Sequence, residues 1–171
     1  MSLRVDFLRR ELAQGAETIQ GLVVGVSAAE ARVRPEPTAW SILEVVAHLL
    51  DEEREDFRPR LDLVLHRPHE TWTPIDPAGW VTARGYNDRE LGATLRDFLA
   101  ERERSLAWLA GLAAPDWSRE YQASWGPITA GDLAASWAAH DLLHTRQLLE
   151  LRRTRLLALT APHRTGYAGD W

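Results

Sequence analysis

TAGDLAASWAAHDLLHTRQLLEL, residues 129–151, carries the clearest helical pattern in the chain. At roughly 100° per residue, its largest side chains fall within one narrow arc of a helix. That arc holds Leu133, Trp137, His140, His144, Leu148 and Leu151. Asp132 stands where a carboxylate favours a helix N-terminus. The pattern predicts a helix over about 129–153 whose apolar side faces a core.

Three other segments show the same period, near 3–26, 41–65 and 88–112. The seam of the first consists of Val5, Leu8, Leu12, Gly15, Ile19, Leu22 and Val26, and that of the third consists of Leu91, Leu95, Phe98, Leu106, Leu109 and Leu112. The second opens with a capping box of Ser41 and Glu44. Pro59 is expected to bend or end this second helix, because proline cannot continue the regular hydrogen-bond ladder.

The connection between the second and third helices is unusually long. Residues 66–86 read HRPHETWTPIDPAGWVTARGY, and their three prolines predict an irregular segment. A connection of this length is typical of a crossover between helices that are not simple antiparallel neighbours. The tail from about residue 160 is also expected to be irregular. We therefore predict one all-α domain over residues 1–171, a four-helix bundle with a long connection between helices 2 and 3.

Composition excludes several kinds of chemistry. The chain has no cysteine and no lysine, which rules out thiolate nucleophiles, cysteine zinc sites and lysine Schiff bases. A net charge of −5 argues against a nucleic-acid partner. No run of about 18 apolar residues predicts a membrane span, and charges interrupt the N-terminus, so a soluble cytoplasmic protein is expected.

His140 and His144 are the most informative polar residues. Their spacing of four places both imidazoles on one side of a helix, where two nitrogens can converge on one ion. They occupy inward positions at which leucine would be expected, and an unpaired buried polar group costs about 1–3 kcal/mol. A metal ion compensates that cost directly. The alternatives are a solvated pair or hydrogen-bonded core histidines.

His48, in the second helix, supplies a third candidate ligand. By angle it lies near the edge of the apolar face, on the same side as Glu44 and Glu52. This predicts a solvent-open cleft at one end of the bundle, with three histidines and a free coordination position. The alternative is a rim histidine paired with Glu44 or Glu52. His66 and His69 form a much weaker candidate pair in the proline-rich connection, where Trp72 and Trp80 are possible pocket-lining residues.

Two motifs resemble those of the damage-inducible DinB-like family. They are Trp40-Ser41-(x6)-His48-Leu49-(x)-Asp51 and His140-Asp141-(x2)-His144-(x)-Arg146-Gln147-Leu148. The resemblance implies a four-helix bundle whose metal ligands are His48, His140 and His144, with zinc or nickel as the usual ion. It also implies a homodimer. The wider superfamily includes S-transferases that use low-molecular-weight thiols such as bacillithiol or mycothiol.

These observations favour a metal-dependent enzyme that activates a small thiol or water. Glu52, one turn beyond His48, is the candidate general base, and Gln147 is a candidate partner for a metal-binding histidine. Glu53 falls inside the apolar stripe, which is unusual for a carboxylate and suggests either a buried acid or a shift in helix register. Two alternatives remain: a non-catalytic, metal-binding stress-response bundle that acts through partner proteins, and a metal-dependent hydrolase that uses no thiol.

Overall fold

Four long helical rods dominate residues 3–171, the part of the chain that the computed structural model describes. The first, third and fourth rods are α1 (Val5–Val23), α6 (Leu91–Ala110) and α7 (Ala130–Thr160). The second rod is continuous and consists of α3 (Ile42–Glu52), a π-helical turn (Glu53–Phe57) and α4 (Arg58–His66). The shorter elements are α2 (Ala28–Ala31), α5 (Pro77–Ala83), two 3₁₀ turns (Tyr86–Asp88 and Gly166–Ala168), and strands β1 (Glu120–Ala123) and β2 (Gly126–Thr129). The predicted all-α four-helix bundle is confirmed. No helix in this range is long and apolar enough to cross a membrane.

The rods form a ring around the core. Helix α1 packs against both α6 and α7, α3 packs against α6, and α4 packs against α7. The buried residues of α1 recur every three or four positions, as expected for a bundle helix. They are Leu8, Leu12, Ala16, Ile19 and Val23. Ala16 and Val23 are buried where the predicted seam had Gly15 and Leu22. The α3–α4 rod therefore closes the ring between α6 and α7.

Two capping boxes fix the helices that carry the candidate site. Ser41 N–H donates to Glu44 Oε2 at 2.8 Å, and Glu44 N–H donates to Ser41 Oγ at 3.2 Å. At the start of α7, Thr129 N–H donates to Asp132 Oδ2, and Asp132 N–H donates to Thr129 Oγ1, both at 3.0 Å. Each box satisfies backbone donors that a helix N-terminus leaves free. Both predicted helix starts are thus confirmed.

Pro59 changes the second rod less than expected. The rod neither ends nor breaks there; it continues to His66, and the irregularity is the π-helical turn Glu53–Phe57 just before Pro59. A proline ring in a regular helix clashes with the carbonyl four residues earlier. The wider π turn relieves that clash, because its hydrogen bonds span one more residue.

Several predicted boundaries were wrong. The connection 66–86 contains α5, which begins at Pro77 because proline is compatible with the first position of a helix and Asp76 caps it. Helix α7 runs to Thr160 instead of about 153. The hairpin was missed, since strands of four residues are too short to show a period-two pattern. The tail is irregular apart from the 3₁₀ turn Gly166–Ala168.

A buried ion network separates the two largest apolar clusters of the core. Each of three rods contributes residues to both clusters, one on either side of the network. Leu50, Phe98 and Leu148 lie in one cluster, and Phe57, Leu109 and Trp137 lie in the other. Between them stand Glu53, Arg102 and Asp141, each at most 2% exposed. The candidate site lies beside this polar layer, because its residues neighbour those of the network along the same helices.

Candidate metal centre

His48 of α3 meets His140 and His144 of α7 on one side of the polar layer. The Nε2 atom of His140 lies 3.2 Å from that of His48 and 3.1 Å from that of His144. One ring nitrogen from each histidine lies within 4.8 Å of the other two. The structure therefore brings together the three histidines that the sequence singled out.

The centre is more enclosed than the sequence suggested. His48 and His144 are each 5% exposed, and His140 is half-buried. The predicted position at one end of the bundle is wrong, because the centre adjoins the buried ion network that lies between two apolar clusters. The angular position of His48 on an isolated helix does not show which side chains from neighbouring segments cover it. Trp40 is one of these, since its ring centroid lies 4.8 Å from that of His48.

Burial keeps these imidazoles neutral. Burial, followed by the charge of the neighbouring His144, lowers the pKa of His48 to about 3 and that of His140 to about 2. The pKa of His144 is lowered for the same reason, partly offset by its hydrogen bond to Gln147. Neutral imidazole is the form that binds a metal, so the ligands need not lose a proton at neutral pH.

Gln147 sets the tautomer of one ligand. His144 Nδ1 lies 2.8 Å from Gln147 Oε1, an atom that only accepts hydrogen bonds. Nδ1 of His144 therefore carries the proton, and its Nε2 presents a lone pair toward the other two rings. A partner on the outer nitrogen is the usual support for a metal-binding histidine.

The arrangement fits a divalent cation. Tetrahedral Zn–N bonds of about 2.0–2.1 Å place two ligand nitrogens roughly 3.3–3.4 Å apart. The two short Nε2–Nε2 distances, 3.1 and 3.2 Å, are close to that value. The other ring nitrogen of His48, Nδ1, is buried without a hydrogen-bond partner and lies 3.9 Å from Glu52 Oε1, so it would be the outer nitrogen when Nε2 faces an ion. His48, His140 and His144 can hold one divalent ion through nitrogen ligands.

Glu52 lies next to this cluster. Its Oε1 is 3.9 Å from Nδ1 of His48 and has no hydrogen-bond partner, and the residue is 4% exposed. Burial, followed by the neighbouring charge of Asp56, raises the pKa of Glu52 above its usual range. Asp56 in turn pairs with Arg60 at 2.9 Å. A carboxyl group with a raised pKa beside a metal ligand is suited to proton transfer near neutral pH.

Other candidates take different roles. Glu44 is engaged by Ser41 and Arg34, so it does not pair with His48. His66 lies near Asp62, outside the three-histidine cluster. Trp72 lines a separate cavity beside the hairpin, and Trp80 packs under Arg84.

Two aromatic residues contact the centre in a way that was not predicted from the sequence. The Trp40 ring lies parallel to that of His144, with a centroid separation of 6.3 Å, and the Phe57 ring is 5.0 Å from that of His140. Trp40 directly precedes the capping residue Ser41, so the sequence places it at the start of α3. The sequence does not show in which direction the Trp40 ring points.

Glu53 belongs to the ion network and not to the histidine cluster. Arg102 donates from Nε to Glu53 Oε1 at 2.8 Å, and from Nη1 to Asp141 Oδ2 and the Leu12 carbonyl, both at 2.6 Å. Trp137 Nε1 donates to Glu53 Oε2 at 2.9 Å. Arg102 was detectable in the sequence, because it occupies the vacant position between Phe98 and Leu106 in the apolar stripe of its helix.

Comparisons with known proteins agree with this architecture. Residues 11–148 match the model of the DinB superfamily. Among solved structures, the chain is similar to YfiT from Bacillus subtilis, described as a probable metal-dependent hydrolase with an unusual four-helix bundle topology. The TM-score is 0.78 at 18% identity, with 89% of each chain covered. A search of curated proteins found no match.

Proposed function

The chain belongs to the DinB superfamily, and on that premise we propose that it is a metal-dependent enzyme that activates a small thiol or a water molecule. The observation that carries the proposal is the convergence of three Nε2 atoms from His48, His140 and His144. Three protein ligands leave a fourth position for a small molecule, the arrangement found in catalytic zinc sites.

The metal would supply the activation. A bound divalent ion lowers the pKa of a coordinated water to about 7 and deprotonates a coordinating thiol. Because the three ligands are neutral imidazoles, they leave the full positive charge of the ion to act on the fourth ligand. The chain has no cysteine, so a thiol would have to come from a bound cosubstrate.

Glu52 is the residue we propose for proton transfer. Its unpartnered Oε1 lies 3.9 Å from Nδ1, the outer nitrogen of His48, so a proton would pass between Glu52 and that imidazole, and the raised pKa of Glu52 brings that exchange toward neutral pH. Gln147 keeps the Nδ1 proton of His144 in place, so that Nε2 stays directed at the ion. Trp40 and Phe57 restrict the entry of bulk water, since both rings pack against ligand rings.

The ion we propose is zinc or nickel, since imidazole suits both and no thiolate is present to favour softer metals. The substrate would be a small molecule, and the thiol a low-molecular-weight one. A homodimer is proposed on the family resemblance.

A hydrolase that uses no thiol is the second candidate. It is favoured by the description of YfiT as a probable metal-dependent hydrolase. The same residues serve both reactions, because water and thiol compete for one coordination position. A non-catalytic metal-binding bundle that acts through partner proteins is the third candidate, and a metal centre sealed by a fourth protein ligand would favour it.

The test combines metal analysis with a thiol screen. Purified protein should contain about one divalent ion per chain. Adding a thiol to the cobalt-substituted protein should produce sulfur-to-metal charge-transfer absorption, and the thiol should alkylate faster at neutral pH than with the His144→Ala variant. If a panel of thiols leaves the spectrum and rates unchanged while activated esters are cleaved, the hydrolase is correct. If neither reaction occurs, the non-catalytic alternative is correct.

A further inference from the structure

We propose that the groove beside His144 binds the anionic end of a small, largely apolar substrate, and that Arg146 selects for the negative charge. This substrate class rests on the proposed function, because it concerns the molecule that reaches the metal centre. Three features of the groove support it: apolar walls, side chains shared with the metal centre, and an arginine without an ion-pair partner.

The groove lies between the loop that precedes α3 and the outer face of α7. Its volume is about 580 Å³, within the roughly 300–1,000 Å³ range of small-molecule sites. Pro35, Ala39 and Trp40 line one side, and Leu143 and Leu151 line the other. These walls are apolar, so they suit a hydrocarbon or ring of modest size.

The groove reaches the metal centre through two shared side chains. His144 and Trp40 both line it. The Trp40 ring also packs against that of His48, at a centroid distance of 4.8 Å. Gln147, another lining residue, holds His144 by its Nδ1 atom. A ligand in the groove therefore contacts a metal-binding residue and the ring that covers the centre.

Arg146 differs from the other arginines along α7. Arg152 donates to the Leu22 carbonyl, Arg153 lies over the Trp171 ring, and Arg155 pairs with Glu30. Arg146 is exposed on the groove and has no ion-pair partner among residues 3–171. Its guanidinium is thus a free cation at the outer edge.

Two other polar residues of the groove have hydrogen-bond partners of their own. Glu150, the carboxylate that lines the groove, accepts a hydrogen bond from Trp171 Nε1 at 2.8 Å. Gln147 uses its oxygen on His144, which leaves its NH₂ group to donate. Two neighbouring donors, one charged, favour a carboxylate or a similar anion.

The test compares hexanoate with 1-hexanol by isothermal titration calorimetry on zinc-loaded protein. Hexanoate should bind about three- to tenfold more tightly than hexanol, as expected for one charge-assisted contact at a half-open site. Arg146→Gln should abolish the difference. Arg164→Gln removes the same charge from the tail and should leave the difference unchanged. Equal binding of the two ligands, or a preference that survives Arg146→Gln because the carboxylate binds the zinc, would overturn the proposal.

A second pair of ligands separates this inference from the proposed function. In cobalt-substituted protein, 6-mercaptohexanoate and 6-mercaptohexanol both offer a sulfur, but only the first carries an anion. Equal affinity in the charge-transfer titration keeps the thiol function and overturns the groove assignment. If neither thiol gives a charge-transfer band but the hexanoate preference still depends on Arg146, the groove assignment holds and the thiol function fails.

Discussion

Two buried polar clusters lie side by side in this bundle, and they differ in how well protein atoms satisfy them. The ion network places Arg102 between Glu53 and Asp141, with hydrogen bonds at 2.6–3.1 Å. In the histidine cluster, His48 Nδ1 and Glu52 Oε1 have no partner. Glu53 and Asp141 of the network directly follow Glu52 and His140 of the histidine cluster on the same two rods, and Arg102 of the network comes from α6.

The contrast indicates different roles. The buried network fixes one arrangement of four helices, because removing Arg102 leaves two buried carboxylates without a cation. In the histidine cluster, by contrast, ring nitrogens face one another at 3.1 and 3.2 Å, close to the spacing that a shared divalent ion requires. We therefore assign the network to the scaffold and the histidine cluster to metal binding.

The largest expected effect is the loss of metal binding on removing one histidine. His140→Ala should reduce affinity for zinc by at least about a thousandfold, while the helical circular dichroism signal is retained, because the apolar clusters hold the bundle. Competition titration with a chelating dye measures the affinity. Leu142→Ala, an exposed position on the same helix, should bind zinc like the wild type. If the His140→Ala protein were unfolded, the ion would be needed for folding, and the histidine cluster would be part of the scaffold as well as the metal site.

The second effect concerns the network. Arg102→Met should lower the free energy of unfolding of metal-free protein by about 3–5 kcal/mol, because it leaves two carboxylates buried without a cation. Urea denaturation with a chelator present measures it. The double variant Glu53→Gln, Arg102→Met should recover part of the loss. A loss below about 1 kcal/mol would show that water already reaches the network.

A glycine tests the same layer from α1. A Cβ at Gly15 would lie 2.3 Å from Asp141 Oδ2, whereas a Cβ at Gly21 has no atom within 4 Å. Gly15→Ala should therefore destabilise by about 1–3 kcal/mol through strain on the network, and Gly21→Ala should stabilise by about 0.5–1 kcal/mol through helix propensity. The two variants change the same residue type on one helix. Equal effects on the urea midpoint would contradict the close approach of α1 to Asp141.

The smallest effect is a pH dependence in metal-free protein. Unfolded histidine titrates near pH 6.5, whereas burial lowers the pKa of His48 to about 3. Below about pH 6.5 the unfolded chain binds protons that the folded chain does not, so the free energy of unfolding should fall as pH decreases. The raised pKa of Glu52 has the opposite effect, because the folded chain keeps a proton that the unfolded chain loses above about pH 4.5, so the free energy of unfolding falls as pH rises beyond that value. Urea titrations at several pH values measure this free energy. Acidification should lower it less in the His48→Phe variant than in the wild type.

The sequence predicted the helices and the convergence of the three histidines better than it predicted the enclosure of the site. Four apolar stripes and two capping boxes are local patterns, so the rods and their starts followed from spacing. The pair His140 and His144 followed from a one-turn repeat. Burial of His48 by Trp40 depends on how a loop folds back, and no periodicity encodes that direction.

The placement of Glu53 shows the same limit. Its position in an apolar stripe marked it as unusual, but its partner Arg102 lies 49 residues away. Pro59 likewise marked an irregularity without indicating that a π-helical turn would absorb it. Pairings across helices depend on the three-dimensional packing, whereas the sequence shows only which residues need a partner.

X-ray absorption spectroscopy of zinc-loaded protein tests the central claim most directly. We expect three imidazole nitrogens at about 2.0–2.1 Å and one further light atom from solvent or substrate. The His140→Ala protein should lose this spectrum, and Leu142→Ala should keep it. A first shell with fewer than three imidazoles, or one dominated by carboxylate oxygens, would show that the metal binds elsewhere and would contradict the assignment of the histidine cluster.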